Sequence, residues 1–349
     1  NATTRSDIRD MRIGLVLLLS LGLAAALHVQ PQPVAHRPSV SCFAPHTFPR
    51  CPTQASPAPH SSGGGSALRF GRARELRIKG GAAGVNKWLA SAGGLATSAV
   101  VTGAANLFGL AFTLVTGSHK LTDLVGSGCF AISAVATLLA GGGASSPRLV
   151  ASTSLISLWS TRLASFLFYR ILKTAKDDRL SKVFATTGGT VVFWTLSFLW
   201  GFVVLMPHSM GCFAPSPAPM DAAGCASAGL AAAAFVVEAV ADWQKWTFKC
   251  KPGGKDTWCT DGLWGYSRHP NYAGEICFWW SIFALSVPNL AGSWPALALG
   301  AVSPAFITLL IAFVSGVNLA EARNDERFGG KEEYRAYKKG TALLFPGIL

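Results

Sequence analysis

The sequence predicts an all-α polytopic membrane helix bundle, on three observations. Half of the 349 residues are hydrophobic and 13% are charged, with a mean hydropathy of +0.37, whereas roughly 25% of residues are charged in soluble domains. Seven apolar stretches, near 92–116, 122–141, 149–170, 184–206, 224–243, 273–290 and 296–319, approach the length a helix needs to cross a bilayer. Basic residues also crowd alternate connections. Arg170, Lys173, Lys176, Arg179 and Lys182 follow the third stretch, Lys245, Lys249, Lys251 and Lys255 follow the fifth, and the tail is basic, while 207–222 and 291–295 hold no Lys or Arg. By the positive-inside rule these loops and the C-terminus share one side of the membrane. An odd number of spans puts residue 87 on the other side, which fits the basic residues before it once a leader is removed.

The net charge of +13 does not point to nucleic acid, because ten of the thirty basic residues precede residue 80 and others flank apolar spans. The eight cysteines form no CxxC pair and no metal-ligand spacing with histidine, so neither a metal site nor a disulfide framework is expected. Cys212 and Cys225 share one connection, where pairing and a free structural role are both open. Glycine and alanine recur within the spans, as in GLATSAVVTGAANLFGLA, and permit close helix contacts.

Two regions are predicted: a targeting presequence and linker over 1–84, and a helical membrane domain over 85–349. Met11 reads as a start, and 11–27 as a signal peptide with a short basic n-region and an apolar core too short to span. Residues 28–84 are basic, rich in Pro, Ser, Ala, His and Gly, and hold one acid, Glu75. Signal followed by transit-like sequence resembles the bipartite presequence of algae with secondary plastids, and Phe43 to Pro45 fits such leaders. This implies a plastid membrane, with the endoplasmic reticulum as the alternative if the first segment stays as an anchor. SSGGGS at 61–66 reads as a linker rather than a phosphate loop, having neither a preceding strand nor a lysine in register.

The densest polar chemistry lies in GLWGYSRHPNYAGE, Gly262 to Glu275, directly before an apolar run. Ionisable groups at a membrane edge are costly unless they pair or line a ligand cavity. Arg268 has a planar fork suited to phosphate, His269 and Asn271 can bond phosphate, ribose or amide, and Pro270 interrupts the backbone. Helix capping and an interfacial belt of Tyr266 and Tyr272 account for any one of these residues, but not for the set followed by Glu275. Glu238 and Asp242, at i and i+4, share a helix face and repel unless a donor-rich ligand or a cation meets them; a ribose, a carboxamide or an arginine would serve. Lys249, with Lys245 and Lys251, forms an anion-attracting mouth or a plain interfacial collar. Arg162, inside an apolar helix, needs an anion or a carbonyl, with Asp177 and Asp178 as alternative partners. In the tail, Glu321, Asp325, Arg327 and Tyr337 are placed to close over a nucleotide, and Lys331 to Lys339 are read as a solvated face.

WSTRLASFLFYRILKTAKDDR, EAVADWQKWTFK, GLWGYSRHPNYAGE, SGVNLAE and YRAYKKGTALLFP follow one another in an order that resembles the membrane family joining the steroid 5α-reductase C-terminal domain to the DUF1295 group. The resemblance spans about Leu158 to Pro346. It implies a helical reductase that binds NADPH among its C-terminal helices and reduces an activated carbon–carbon double bond of a lipophilic substrate: a sterol, prenyl or fatty-acyl enone. It further implies that Glu238, Asp242, Lys249, Tyr266, Asn271, Glu275 and the stretch around Glu321 to Arg327, with Asp325 and Arg327, contact the cofactor; Arg268, His269, Tyr272 and Tyr337 join this set on the chemistry of the residues themselves. No GxGxxG follows a strand, so a Rossmann domain is not expected. The glutamate and tyrosine that polarise the ketone in steroid reductases have no counterpart, since no Glu lies between Glu75 and Glu238 and no Tyr precedes Tyr169. Tyr169, Tyr272, Glu275 and Asp123 are therefore the candidate proton donors. Two alternatives stay open: an S-adenosylmethionine-dependent methyltransferase like isoprenylcysteine carboxyl methyltransferase, which shares RHPxY, and a non-catalytic membrane scaffold.

Overall fold

A computed structural model describes residues 67–174 and 183–347, with side chains from 88 onward except at 174. Its regular elements are helices: α1 (Ala67–Thr116), α2 (Thr122–Ala140), α3 (Pro147–Thr174), α4 (Thr187–Cys212), α5 (Ala222–Cys250), α6 (Pro270–Leu290), α7 (Trp294–Leu309), α8 (Val317–Phe328) and α9 (Glu332–Gly340). Among the described residues the extended structure is an isolated parallel bridge, Ser267 to Ala342. The protein is an all-α integral membrane bundle.

Among the described residues five stretches are long and apolar enough to cross a membrane: Trp88–Thr116, Thr122–Ala140, Thr187–Cys212, Ala222–Cys250 and Trp294–Phe328. The other two expected spans form as α3 and α6, of 28 and 21 residues, or about 42 and 31 Å at 1.5 Å per residue. They fall short on apolarity because they carry polar residues of the candidate site, Arg162 on α3 and Asn271 and Glu275 on α6. The fourth span continues past Pro207 to Cys212, beyond the boundary expected at 206; membrane helices tolerate proline where neighbouring groups satisfy the freed carbonyl. α1 begins at Ala67, inside the stretch read as transit-like, since RARELRI is rich in good helix formers. The signal peptide, the transit-like residues before 67, Cys42, Cys51, Asp177 and Asp178 lie outside the described residues. Cys212, buried on α4, and Cys225, exposed on α5, are both free.

Side-chain contacts define two ends. At one, Arg148 at the start of α3 is 1% exposed and clasps two other segments. It donates to Pro219 O from Nε (3.0 Å) and Nη2 (2.8 Å), to Leu285 O from Nη1 (3.1 Å), and to Asp221 Oδ1 (2.6 Å). Asp221 in turn caps α5 by accepting from Gly224 N at 2.7 Å. Trp88 packs near Met206, Met210 and Leu290, which puts the start of the first span at this end, as the odd span count requires. The C-termini of α3 and α5 and the N-terminus of α6 gather at the other end with the tail, so the basic connections share one side.

Between the ends lies an aromatic core in which Trp159, Phe130, Phe278 and Trp279 are fully buried. Trp159 stands edge-on to Trp279 at 4.9 Å and stacks on Phe278 at 5.8 Å between centroids. α6 approaches α5 through Gly274, where a Cβ would lie 2.8 Å from Glu238 N and 2.9 Å from Ala234 O. A side chain would push two backbones apart, so glycine sets the spacing that brings the polar faces of α5 and α6 together. Gly274→Ala is expected to cost about 1–3 kcal/mol through overpacking, seen as a lower melting temperature in detergent; an unchanged melt would show that the two helices do not meet as closely as this.

Candidate functional site

Pro270 occupies the first turn of α6, where its missing N–H and fixed φ suit a helix start. The residues before it are pinned to the tail. Arg268 N donates to Ala342 O at 2.9 Å, Ser267 Oγ donates to Leu344 O at 2.7 Å, and His269 N donates to Ser267 Oγ at 3.2 Å. The motif is thus held between the membrane helix it opens and the C-terminal segment.

Inward from this point runs a chain of polar contacts across three helices. Asn271 Nδ2 donates to Asp242 Oδ1 at 3.1 Å. Arg162 Nη2 reaches Asp242 Oδ2 at 2.8 Å, and its Nη1 reaches Glu238 Oε1 at 3.1 Å. Trp159 Nε1 donates to the other Glu238 oxygen at 2.8 Å. Arg162 therefore answers the question that the paired carboxylates raise, and its carboxylate partners among the described residues are both on α5. Glu238 is 2% exposed with both oxygens engaged, so in this arrangement it seats Arg162 instead of facing a ligand. Glu275 lies within electrostatic reach of Glu238, Asp242 and Arg162, and its carboxylate makes no hydrogen bond among the described residues. Three carboxyl groups around one guanidinium exceed what it can pair, so the cluster favours protons or hydrogen-bond donors brought by a ligand.

A cationic rim adjoins this acidic floor. Lys245 stands 4.3 Å over the Trp264 ring and within electrostatic reach of Asp242, Lys249, His269 and Arg323. Arg268 pairs through Nη1 with Glu321 Oε2, and Lys338 meets the same oxygen at 3.2 Å. His269 Nε2 lies 2.8 Å from Glu321 Oε1. Burial pushes the His269 imidazole below its ordinary 6.5, and the Glu321 contact only partly offsets this. The ring is thus neutral at pH 7; with Glu321 accepting, Nε2 carries the proton and Nδ1 is a bare acceptor.

Three atoms here are buried without a hydrogen-bond partner among the described residues: Arg268 Nε, His269 Nδ1 and Asn271 Oδ1. Buried polar atoms are nearly always paired, so two acceptors and one donor beside each other along the chain are what a ligand presenting both donor and acceptor, such as a carboxamide, would satisfy. Each is shut off from solvent, so a ligand must displace a neighbouring side chain to reach it. Tyr272 covers His269, its ring nearly parallel at 5.5 Å.

Other expected site residues stand apart. Tyr266 is 72% exposed, since the turn Gly262–Gly265 directs it outward. Tyr169 is also exposed and meets the edge of Trp246 at 5.9 Å on the outer seam between α3 and α5. Lys249 donates to Gly254 O (3.0 Å) and Thr257 O (2.7 Å), organising its own loop. Tyr337 donates to Trp264 O at 2.8 Å, and burial raises its phenol pKa. Asp325 binds Lys338 at 2.7 Å through both oxygens, and Arg327 makes a loose 3.8 Å pair with Asp256. Asp123 stands in the first turn of α2. Lys338, read as part of a solvated face, instead closes the Glu321 cluster. Trp159 and Lys338 escaped the sequence reading because an apolar-helix tryptophan and a tail lysine carry no spacing signal of their own.

Residues 109–341, more than half of the chain, match the family described as protein of unknown function (DUF1295). No curated protein and no solved structure was found to match the chain. The matched region runs from the later part of α1 through the RHPNYAGE segment and α9, so it takes in every residue of the polar chain just described, and the protein belongs to the DUF1295 family.

Proposed function

We propose that this protein is a membrane oxidoreductase that reduces an activated carbon–carbon double bond of a lipophilic substrate, a sterol, prenyl or fatty-acyl enone, with NADPH. The observation that carries the reading is the juxtaposition of an acidic floor, Asp242 and Glu275 around Arg162, with a cationic rim of Lys245, Arg268, Arg323 and Lys338. A dinucleotide has both complements: phosphates for the rim, and ribose hydroxyls and a carboxamide for the floor. The orphaned acceptors of His269 and Asn271 and the orphaned donor of Arg268 fit the carboxamide in particular. The resemblance of RHPNYAGE to the steroid 5α-reductase C-terminal domain supports the same assignment.

NADPH, when bound, supplies a hydride to the β-carbon of the enone. Arg162 fixes Asp242, Asp242 orients the Asn271 amide, and Glu275 or Tyr272, near the same end of α6, would deliver the proton to the α-carbon. The aromatic core beneath excludes water. The apolar surroundings favour a substrate that arrives from the lipid, and the presequence favours a plastid membrane as its location. One observation favours a second reading: carboxylates in excess of their countercharge suit the sulfonium of S-adenosylmethionine, as in a methyltransferase, although that ligand leaves the cationic rim without a phosphate.

Binding of NADPH, NADH and S-adenosylmethionine to the detergent-purified protein ranks these readings. NADPH is expected to bind tightest; preference for S-adenosylmethionine would install the methyltransferase, and silence from all three a scaffold. Asn271→Ala removes the orphaned acceptor together with the donor to Asp242 and is expected to weaken NADPH by about 1 kcal/mol, roughly fivefold, while the protein still folds; equal affinity would clear Asn271 of any role. Because the folded pKa of His269 lies below 6.5, its acceptor is fully present above pH 6.5 and is lost as pH falls through the lowered value. NADPH affinity is expected to decline in that acid window in wild type and not in His269→Gln; parallel profiles would refute the contact.

A further inference from the structure

Glu321 is met by three donors from two other segments: Arg268 Nη1, His269 Nε2 at 2.8 Å and Lys338 Nζ at 3.2 Å. An arginine fork, an imidazole N–H and an ammonium converging on one oxyanion form the arrangement by which proteins receive phosphate or carboxylate ligands. Here the oxyanion belongs to the protein. The seat is not used up, since the Arg268 Nε donor is buried without a partner among the described residues. A contact serving only to fix α8 would not be expected to strand a donor of its own partner, because that costs its full desolvation.

The element carrying Glu321 is built to move separately from the bundle. α7 passes into a π-helical turn, Leu310–Ser315, and then Gly316 breaks the axis at φ −100°, ψ −94°. A Cβ at Gly316 would lie 2.5 Å from Ile311 O, so the break demands glycine. Of the residues of α8, only Val317 and Phe328 are buried; the helix is anchored at its two ends, with Glu321 as its clasp between them. Lys338 is held at 2.7 Å by Asp325 as well, and because Asp325 also lies on α8, Lys338 keeps that partner when it moves with the helix and leaves Arg268 and His269 as the vacated donors.

We propose that Glu321 is an intramolecular stand-in for an anionic group of the ligand: α8 closes the site while it is unloaded, and a phosphate-bearing ligand takes the place of Glu321 on Arg268 and His269. This rests on the nucleotide reading for the natural ligand, but the latch itself requires only a phosphate anion. A closed state that competes with ligand lowers the apparent affinity by the fraction of open molecules, and weakening the latch removes that penalty.

The test uses the full chain in detergent with inorganic pyrophosphate as probe. Glu321→Gln is expected to bind pyrophosphate about tenfold more tightly than wild type, and its residues 317–328 to exchange amide hydrogens faster before any ligand is added. In wild type, pyrophosphate alone is expected to raise exchange over the same residues, an arm that decides the matter even if the variant folds poorly. Weaker binding in Glu321→Gln, α8 exchange that pyrophosphate slows or leaves unchanged, or no pyrophosphate binding by either protein would overturn the latch. Failure of NADPH to bind while pyrophosphate still releases α8 would remove the reductase reading and leave the latch standing.

Discussion

The site depends on one shared cation. Arg162 reaches from α3 to Glu238 and Asp242 on α5, and Asp242 passes the connection to Asn271 on α6. A buried charge pair is weak evidence for stability, since desolvation offsets much of the Coulombic gain, but removing one partner strands the others. Without Arg162, Glu238 and Asp242 would face each other and Glu275 with no guanidinium between them. The Trp159 N–H on Glu238 then ties this charge arrangement to the aromatic core, so the packing of Phe130, Phe278 and Trp279 also determines where the carboxylates point. Gly274 completes the arrangement by letting α5 and α6 approach until Asn271 can reach Asp242.

A second dependency runs through the tail. The motif before α6 is bonded to Ala342 and Leu344, and Glu321 on α8 meets Arg268 and His269. Polar groups of the candidate site are therefore engaged by α8 and by the C-terminal segment after α9. Such an arrangement links occupancy of the pocket to the position of α8 without requiring the membrane helices to shift. It also separates two tasks: α3, α5 and α6 hold a fixed acidic floor, while the cationic rim is shared between fixed and movable segments.

Much of this was legible in the sequence. Seven apolar stretches gave helices near their expected places, and the side of the basic connections followed from charge counting. RHPNYAGE stood out because several polar residues at a membrane edge need a common explanation, and Glu238 with Asp242 announced a missing cation through their i, i+4 spacing. Which cation was not legible: Arg162 also had Asp177 and Asp178 as candidate partners, and the packing of α3 against α5 is what brings it to Glu238 and Asp242. Tyr266, Tyr169 and Lys249 were drawn to the site by motif or resemblance, yet the turn at Gly262–Gly265, the α3/α5 seam and the loop carbonyls at Gly254 and Thr257 claim them. Glu321, Asp325 and Lys338 form a cluster spread over two short helices whose relative placement has no sequence period. α3 and α6 illustrate the same physics, since the residues that make the site also lower the hydropathy that marks a span.

The central claim is that Arg162 organises a polar seat among α3, α5 and α6 that receives a nucleotide. A cryo-electron-microscopy map of the detergent-purified protein with saturating NADPH tests it most directly. The account predicts ligand density between these three helices, in hydrogen-bond range of Asn271 and His269, with the Arg162 bridge to Glu238 and Asp242 intact. Density lying elsewhere on the protein, or an empty seat whose carboxylates have turned away from Arg162, would contradict it.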